Sequence, residues 1–408
     1  MIKIFRCVMP GVSTRQFILN RTIVLILLFP LQFIYTTCNF CAAQDPAQED
    51  SLGKWVVFHK SNSRLPGNNI TAITQDESGN IWVGISGKLM KFDGTEWSNL
   101  KKPGSWRSSG KITSIAIDRY HNPWVGNSSG GMANFEETGW SVINEKNSDL
   151  PGNSVSAIAI DEKGNKWIGT QDSGLVKYND TLILIFEEQD TILPNKNINS
   201  IVIDRGGNIW MGTNNGLVQF DGDSTWTVYK GSSLGVNTIN TIAIDKNKSK
   251  WLGCGSANSK SNGGVVLFSA QSGFTTEGKG KLLAHYSAFN SQLPSNYISS
   301  VTIDNKGEIW IAARNCQYAD FKSGTTTFVK GGIAKYDSSG WINLTPSFSQ
   351  FLKTTPVLLV NLPGLETKDQ AINSCHNINV IFVDMNGNKW LGTDNGLFVY
   401  NEKGVILK

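Results

Sequence analysis

The sequence has 408 residues, of which 17% are charged and 10% are aromatic, and it contains 41 glycines and 13 tryptophans. Globular proteins carry about 25% charged residues, so this composition indicates aromatic strands joined by turns and argues against a disordered or mainly helical chain. The 37 Lys and Arg exceed the 33 Asp and Glu by four, and four of the basic residues lie in the first 43 positions, which hold no acidic residue. The remaining charges balance at 33 against 33. The sequence therefore predicts no nucleic-acid binding, which needs a basic surface.

Residues 1–43 have the pattern of a signal peptide, with a basic start, an apolar run at Thr22–Tyr35 and small residues at the end. The apolar run is shorter than the roughly 20 residues of a membrane span. We therefore expect an exported protein that is periplasmic, cell-surface or secreted. A lipoprotein acylated at Cys38 or Cys41 is an alternative, although the residues before both cysteines lack the usual acylation pattern. Residues 44–54 are predicted to be a short linker, and no later apolar run predicts a transmembrane segment.

Residues 55–408 contain seven copies of a repeat of about 42 residues. Each copy has the pattern Ile-x-x-Ile-x-x-Asp-x-x-Gly-Asn-x-Trp or a close variant, and the aspartate always lies six residues before the tryptophan. The last three copies carry insertions, since the final two intervals between aspartates are 59 and 80 residues. The seven pairs are Asp76 and Trp82, Asp118 and Trp124, Asp161 and Trp167, Asp204 and Trp210, Asp245 and Trp251, Asp304 and Trp310, and Asp384 and Trp390.

Each repeat predicts four short strands, and four strands with this period are typical of one blade of a β-propeller. We therefore expect one all-β domain, a seven-bladed β-propeller of four-stranded blades. The recurring tryptophans are predicted to pack between blades. The recurring aspartates are assigned to the turn between the first and second strands, because each repeat offers one carboxylate whereas calcium needs six or more oxygen ligands. No metal or cofactor is expected.

A strand from one end of the chain is predicted to complete the seventh blade and close the ring. Two segments fit this place in the sequence. They are Trp55–Phe58, which reads as a fourth strand ahead of the first full repeat, and Val405–Lys408.

The repeat, together with the Asn-Ser-x-Leu-Pro-x-Asn segments at residues 62–69 and 147–153, resembles the two-component regulator propeller repeat. In that family such repeats form the periplasmic ligand-sensing region of membrane histidine kinases. The resemblance implies extracellular binding of an oligosaccharide or other small ligand, or of an extracytoplasmic partner protein. Because the sequence contains one set of seven repeats and no kinase region, we expect a stand-alone sensor-type propeller.

The insertions indicate where a ligand would bind. In an up-and-down blade, the loops that join the second strand to the third and the fourth strand to the next blade share one face, here called the top face. The insertions at residues 254–263, 313–331 and 345–377 all fall on it, and repeat proteins vary most on the face that binds. The predicted contacts on the loops of blades five to seven, with the loop entering blade two, are Trp106, Arg107, Arg314, Gln317, Tyr318, Asp320, Phe321 and His376.

Three cysteines follow the leader. Cys316 and Cys375 lie in top-face loops of adjacent blades, so a disulfide between them is a possible cross-link in an exported protein. Cys254 takes the place of the threonine in the Gly-Thr element and is interpreted as a small buried residue.

Two other function classes stay open at this point. The first is a lyase similar to the propeller enzymes that cleave streptogramins, an activity that the resemblance links to a histidine base and metal-binding carboxylates. Of the four histidines, His376 alone is predicted to lie near the top centre, so catalysis is not expected. The second is a structural or adhesive surface protein, because a propeller fold does not define a function.

Overall fold

The computed structural model describes residues 54–101, 103, 110–186, 193–257, 263–270, 280–319, 326–345 and 377–407. Contacts divide the chain into two units, Met1–Leu52 and Gly53–Lys408. The first unit lies outside the described residues, and everything below concerns the second. No helix in the described part of the chain has the length and apolar character that a membrane span requires.

The second unit is a seven-bladed β-propeller, which confirms the predicted fold. Its strands are β1 (Trp55–Phe58), β2 (Ile70–Gln75), β3 (Ile81–Ile85), β4 (Lys88–Phe92), β5 (Trp97–Leu100), β6 (Ile112–Ile117), β7 (Pro123–Asn127), β8 (Gly131–Glu136), β9 (Gly139–Ile143), β10 (Val155–Ile160), β11 (Lys166–Thr170), β12 (Leu175–Tyr178), β13 (Ile183–Phe186), β14 (Ile198–Ile203) and β15 (Ile209–Thr213). The remaining strands are β16 (Gly216–Phe220), β17 (Trp226–Tyr229), β18 (Ile239–Ile244), β19 (Lys250–Cys254), β20 (Gly264–Ala270), β21 (Gly280–Tyr286), β22 (Tyr297–Ile303), β23 (Ile309–Arg314), β24 (Cys316–Ala319), β25 (Thr326–Val329), β26 (Gly332–Asp337), β27 (Gly340–Asn343), β28 (Ile378–Val383), β29 (Lys389–Thr393) and β30 (Gly396–Tyr400). One short 3₁₀ helix spans Gly231–Ser233.

Each blade is an antiparallel sheet of four strands, which follow chain order in blades 1 to 6. Blades 1 to 5 are β2–β5, β6–β9, β10–β13, β14–β17 and β18–β21. Blade 6 is β22, β23, β26 and β27, and blade 7 is β28, β29, β30 and β1. The first strands of neighbouring blades contact one another, so these strands line the centre of the ring. The hairpin β24–β25 is an addition to blade 6.

The turn between the first and second strands needs a left-handed residue three positions after its aspartate. Glycine fills this position in five blades, as at Gly79 with φ 86° and Gly207 with φ 81°. Glycine suits it because it lacks the Cβ that penalises positive φ in other residues. Blades 2 and 5 instead hold His121 and Lys248 there, both with φ 65°.

The hydrophobic core is divided among the contacts between blades, here called seams and named by the two blades they join. Seven clusters of buried residues correspond to the seven seams. The second-strand tryptophans lie in these clusters. Four of them, Trp167, Trp210, Trp310 and Trp390, are at most 1% exposed. Each blade is therefore stabilised by the blades on its two sides, as in other repeat proteins.

The seams are of two kinds, set by the residue just before each second-strand tryptophan. In seams 2–3, 4–5 and 6–7 this residue is a lysine whose Nζ lies over the tryptophan ring of the preceding blade. The pairs are Lys166 over Trp124 at 4.4 Å, Lys250 over Trp210 at 3.9 Å and Lys389 over Trp310 at 4.6 Å.

In seams 3–4, 5–6 and 7–1 the equivalent residue is an isoleucine. There no lysine lies over the tryptophan of the preceding blade, which meets an aromatic ring from the third strand of the next blade, as it also does in seams 2–3 and 6–7. Trp167 contacts Phe220 with ring centroids 5.8 Å apart, and Trp251 contacts Tyr336 at 5.3 Å. In seam 1–2 the residue is Pro123, so this seam matches neither kind.

The ring is closed by the N-terminal strand. β1 pairs antiparallel with β30, from Trp55 opposite Tyr400 to Phe58 opposite Leu397. Of the two predicted closing segments, Trp55–Phe58 is therefore the one that forms the fourth strand of blade 7. The alternative closure by Val405–Lys408 is not observed among the described residues of that segment. Val405 packs against the cluster of seam 7–1 outside any strand, so the C-terminal segment covers this seam but does not extend the sheet.

Candidate functional site

The recurring aspartates hold the turns on the bottom face, the face opposite the top. In all seven blades the aspartate Oδ2 accepts a hydrogen bond from the indole Nε1 of the tryptophan six residues later, at 2.7 to 3.2 Å. The Oδ1 accepts the backbone N–H four residues later. The aspartate thus joins the turn to the tryptophan that fills the seam. This contact between the two most regular residues of the repeat is not apparent from their spacing alone.

The titration of these carboxyls agrees with a structural role. Burial alone would raise the pKa of Asp204, but hydrogen bonds from the Trp210 indole and from Asn208 outweigh burial and hold its pKa below the ordinary value. Burial and hydrogen bonds act on Asp161 and Asp304 in the same way, and the pKa of each is lowered.

On the top face, the residue that follows the first isoleucine or valine of every first strand is Thr, Ser or Asn. We call these seven half-buried side chains the inner polar ring. Six of them donate a hydrogen bond to the carbonyl oxygen of the first isoleucine or valine in the next blade's first strand, as Asn199 does to Ile239 at 2.9 Å. Thr71 instead donates to Gly84 in its own blade. The ring members are Thr71, Thr113, Ser156, Asn199, Asn240, Ser299 and Asn379.

The inner polar ring ties the blades together around the central channel and places hydroxyl and amide groups at its top end. It was detectable in the sequence as a polar second position in each Ile-x-x-Ile element. The insertions in the sequence do not point to the inner polar ring, because its members lie in the first strands of the blades.

A polar cluster extends this ring outward at seam 6–7. Arg314 Nε donates to Asn377 Oδ1 at 3.2 Å, and its Nη2 lies 3.7 Å from Asp394 Oδ2. Asp394 also accepts hydrogen bonds from Asn377 at 2.7 Å and from Asn379 at 2.8 Å. One carboxylate therefore links Arg314, two asparagines and the inner polar ring. Sequence reasoning identified Arg314 but missed Asn377, Asn379 and Asp394.

The insertion in blade 6 forms the hairpin β24–β25, which connects to blade 5. The backbone N–H of Gln317 donates to the carbonyl of Ala257 at 3.0 Å. The Gln317 side chain is exposed, and Phe328, directly opposite it in the hairpin, is 55% exposed. The hairpin thus presents an amide and an aromatic ring to solvent next to the top-face loop of blade 5.

The structure places only some of the predicted contacts. Arg314 lies in the polar cluster, Gln317 lies on the hairpin, and Tyr318 belongs to β24 without a described side chain. The other predicted contacts lie outside the described residues: Trp106, Arg107, Asp320, Phe321 and His376.

The described cysteines are buried thiols. Cys254 is fully buried, and burial raises its pKa. Cys316 is a free cysteine whose Sγ lies 3.6 Å from Ser295 Oγ. Cys375 lies outside the described residues, so the disulfide between Cys316 and Cys375 stays a prediction. Within the described part of the chain, no three His, Cys, Asp or Glu side chains group in a way that could hold a metal ion.

Comparisons with known proteins agree with this architecture. A family model described as "Two component regulator propeller" matches residues 64–87, 192–215 and 292–315. These matches cover the beginnings of blades 1, 4 and 6. A search of curated proteins gave no match.

Solved structures share the fold at low identity. The extracellular domain of a hybrid two component system from B. thetaiotaomicron is 18% identical, with a TM-score of 0.60 over 86% of this chain and 42% of that one. Virginiamycin B lyase from Staphylococcus aureus is 12% identical, with a TM-score of 0.55 over 85% of this chain and 98% of that one. PorZ, a surface component of the type-IX secretion system of Porphyromonas gingivalis, is 16% identical, with a TM-score of 0.57 over 82% of this chain and 46% of that one.

This chain spans 40% to 42% of the length of the extracellular domains of B. thetaiotaomicron that it matches. Identities this low establish the fold alone, whereas the matched segments establish the kind of repeat. The chain therefore carries two-component regulator propeller repeats within a seven-bladed β-propeller.

Proposed function

We propose that the chain is an exported, non-catalytic binding propeller whose ligand contacts the top face of blades 5 to 7. The observation that carries this proposal is the polar cluster of Arg314, Asn377, Asn379 and Asp394 at the edge of the inner polar ring. The cluster faces solvent in part, since the side chains of Arg314 and Asp394 are 33% and 47% exposed. Preformed polar groups of this kind fix the orientation of a small ligand.

The chemistry of this face suits an oligosaccharide. Arg314 supplies donors, Asp394 supplies acceptors, and the inner polar ring supplies hydroxyl and amide groups. Phe328 adds an exposed aromatic face beside the Gln317 amide. Hydroxyl-rich ligands need both donors and acceptors, and an aromatic ring covers their C–H surfaces.

Two of the histidines, His59 and His285, are held in structural contacts, whereas His376 lies outside the described residues. His59 is buried, and its Nδ1 lies 2.8 Å from Ser61 Oγ within the loop that follows β1. His285 Nε2 lies 2.9 Å from the carbonyl oxygen of Gly263. Both side chains are engaged with nearby loops, and neither is a member of the top-face polar cluster. The fold shared with virginiamycin B lyase therefore carries no proposal of lyase activity here.

A partner protein is the second candidate. The exposed hairpin β24–β25 could meet a protein as well as a sugar, and PorZ shows that a protein of this fold can be a surface component of a secretion system. The hairpin favours this candidate because its exposed Phe328 lies outside the polar cluster.

The test is thermal melting of the protein with a panel of neutral and acidic oligosaccharides. A ligand at about 100 times its Kd adds roughly 2.7 kcal/mol of stability, which raises Tm by several degrees. We expect this shift to be lost in Arg314→Gln and Phe328→Ala. It should persist in Arg64→Gln, which alters a largely exposed ion pair with Glu96 of blade 1. If the rise in Tm survives both top-face substitutions, the ligand does not bind at the top face of blades 5 to 7. If no sugar raises Tm and a protein co-purifies with the chain, the partner-protein candidate is favoured.

A further inference from the structure

A second concave site lies at seam 2–3, away from the top-face cluster. It is a cleft of about 300 Å³ that reaches the bottom face beside the turns of blades 2 and 3. Its lining includes Trp124, Asn134 and Ser141 from blade 2 and Lys166 and Tyr178 from blade 3. This volume is at the lower end of the range for small-molecule sites.

Two side chains at this seam are smaller than their counterparts in other blades, and one of them, Asn134, lines the cleft. Asn134 lies opposite Trp124 in the sheet. The same position opposite the tryptophan holds longer or bulkier side chains in every other blade: Lys91, Lys177, Gln219, Leu267, Lys335 and Val399.

The second small side chain is Ile183, which lies opposite Tyr178 at the start of the fourth strand of blade 3. Five of the other blades place a tryptophan at the equivalent position. These are Trp55, Trp97, Trp140, Trp226 and Trp341. Asn134 thus lines the cleft where other blades have a longer or bulkier side chain, and Ile183 packs against the hydrophobic cluster of the same seam.

The wall of the cleft holds a polar atom that lacks a partner. Asn134 is 4% exposed, and its Nδ2 donates to Glu136 Oε1 at 2.7 Å. Its Oδ1 is buried and accepts no hydrogen bond from any residue that the structure describes. A buried carbonyl oxygen left without a donor is destabilising, so a ligand that donates an O–H or N–H here would gain affinity.

The charges around the cleft balance. Asp118, Glu136 and Asp180 oppose Arg119, Lys163 and Lys166. The buried Lys166 is already engaged by Asp180 and by the ring of Trp124. The cleft therefore offers neither a strong field for an ion nor an apolar surface for a lipid. An uncharged ligand rich in hydroxyl groups matches this lining.

We propose that the cleft at seam 2–3 binds a small uncharged polyol of monosaccharide to disaccharide size through the Asn134 carbonyl oxygen. This inference goes beyond the proposed function, because the cleft lies at another seam and shares no residue with the polar cluster at Arg314.

The experiment is isothermal titration calorimetry with D-glucose, N-acetylglucosamine, myo-inositol and maltose. Asn134→Leu, which copies Leu267 of blade 5, fills the space and removes the acceptor. Asn134→Ala removes the acceptor without filling the space, and it serves if the first variant does not fold. We expect at least a tenfold loss of affinity in either variant. Gln219→Leu, the same change at seam 4–5, should bind as the unsubstituted protein does.

Two results would overturn the proposal. They are absence of binding by all four probes to the unsubstituted protein, and unchanged affinity in both Asn134 variants. Arg314→Gln separates the two sites, because binding at the cleft survives this substitution whereas binding at the top face does not.

Discussion

The ring of Phe58 stacks on the ring of Trp390, with centroids 6.1 Å apart and planes inclined by 4°. Phe58 belongs to the first strand of the chain and Trp390 to the last blade, so the contact joins the two ends of the propeller. Phe58 also contacts Phe92 and Trp97 of blade 1. One aromatic side chain thus belongs to the sheet of blade 7 and to the seam with blade 1.

Substituting Phe58 should therefore loosen the closure of the ring. We expect Phe58→Ala to lower the free energy of unfolding by about 2 to 4 kcal/mol, because truncating a packed Phe removes apolar contacts and leaves a cavity. Leu407→Ala is the control, since Leu407 packs against the same cluster outside the sheet and should cost about 1 kcal/mol. Urea unfolding measures both values. A larger loss in Leu407→Ala would mean that the C-terminal segment contributes more to closure than β1.

Acid should weaken the propeller through the turn aspartates. The folded-state pKa of Asp204 lies below its ordinary value of 3.8, so the folded state binds fewer protons than the unfolded state in this range. The ionised Asp204 carboxylate therefore stabilises the folded state at pH values above 3.8, and this stabilisation is lost as the pH falls through the folded-state pKa. We expect Asp204→Asn to lower stability by about 1 to 2 kcal/mol at pH 7, with the difference shrinking toward pH 3.

Thermal melts from pH 7 to pH 3 measure this difference. Asp223→Asn changes an exposed carboxylate of the same blade and serves as the matched control. A difference between Asp204→Asn and the unsubstituted protein that stays constant with pH would contradict the linkage.

His59 should add a second pH dependence at milder acidity. Burial lowers its pKa, and this outweighs the hydrogen bond with Asn395, which acts in the opposite direction. Because the folded-state pKa lies below the ordinary value of 6.5, the unfolded state binds more protons. Stability is therefore expected to fall as the pH drops below about 6.5.

The repeat itself supplies a matched variant for this test. Asn144 occupies the same place in the loop of blade 2, and its Oδ1 accepts the N–H of Lys146 as His59 Nδ1 accepts that of Ser61. His59→Asn should fold with stability within about 1 kcal/mol of the unsubstituted protein at pH 7. Between pH 7 and pH 5, the His59→Asn variant should lose less free energy of unfolding than the unsubstituted protein, as measured by chemical denaturation. Equal losses would show that His59 is not the titrating group.

The buried lysines of the seams should differ in what their removal costs. Lys389 lies 3.6 Å from Asp304, and both side chains are at most 6% exposed. Lys389→Met would leave that carboxylate buried without its cation, so we expect a loss of about 2 to 4 kcal/mol. Lys250 donates to the carbonyl of Lys248 and has no ion pair within 4.0 Å among the described residues. Lys250→Met should change the free energy of unfolding by about 1 kcal/mol or less, as measured by urea unfolding. Equal losses in Lys389→Met and Lys250→Met would contradict the role given to the ion pair with Asp304.

The fold was predictable because it repeats. Seven aspartates and seven tryptophans at constant spacing determine the number of blades, and the alternation around them determines the strands. The cleft at seam 2–3 was not predictable, because its lining combines Trp124 and Asn134 of blade 2 with Lys166 and Tyr178 of blade 3. The cluster at Arg314 was only partly predictable: the insertion next to Arg314 is visible in the sequence, whereas Asp394 lies in a loop of ordinary length on the neighbouring blade.

The two kinds of seam have a consequence for the symmetry of the ring. A pattern that alternates around a circle closes without a break only when the number of members is even. With seven blades one seam must interrupt the alternation, and the interruption falls at seam 1–2, where Pro123 replaces the lysine or isoleucine. Deleting blade 2, which carries Pro123, would leave six seams that alternate without a break, whereas deleting any one of blades 4 to 7 would place two seams of the same kind side by side. A pair of adjacent blades could be added without disturbing the order. The interchangeable unit of this propeller is thus two blades rather than one.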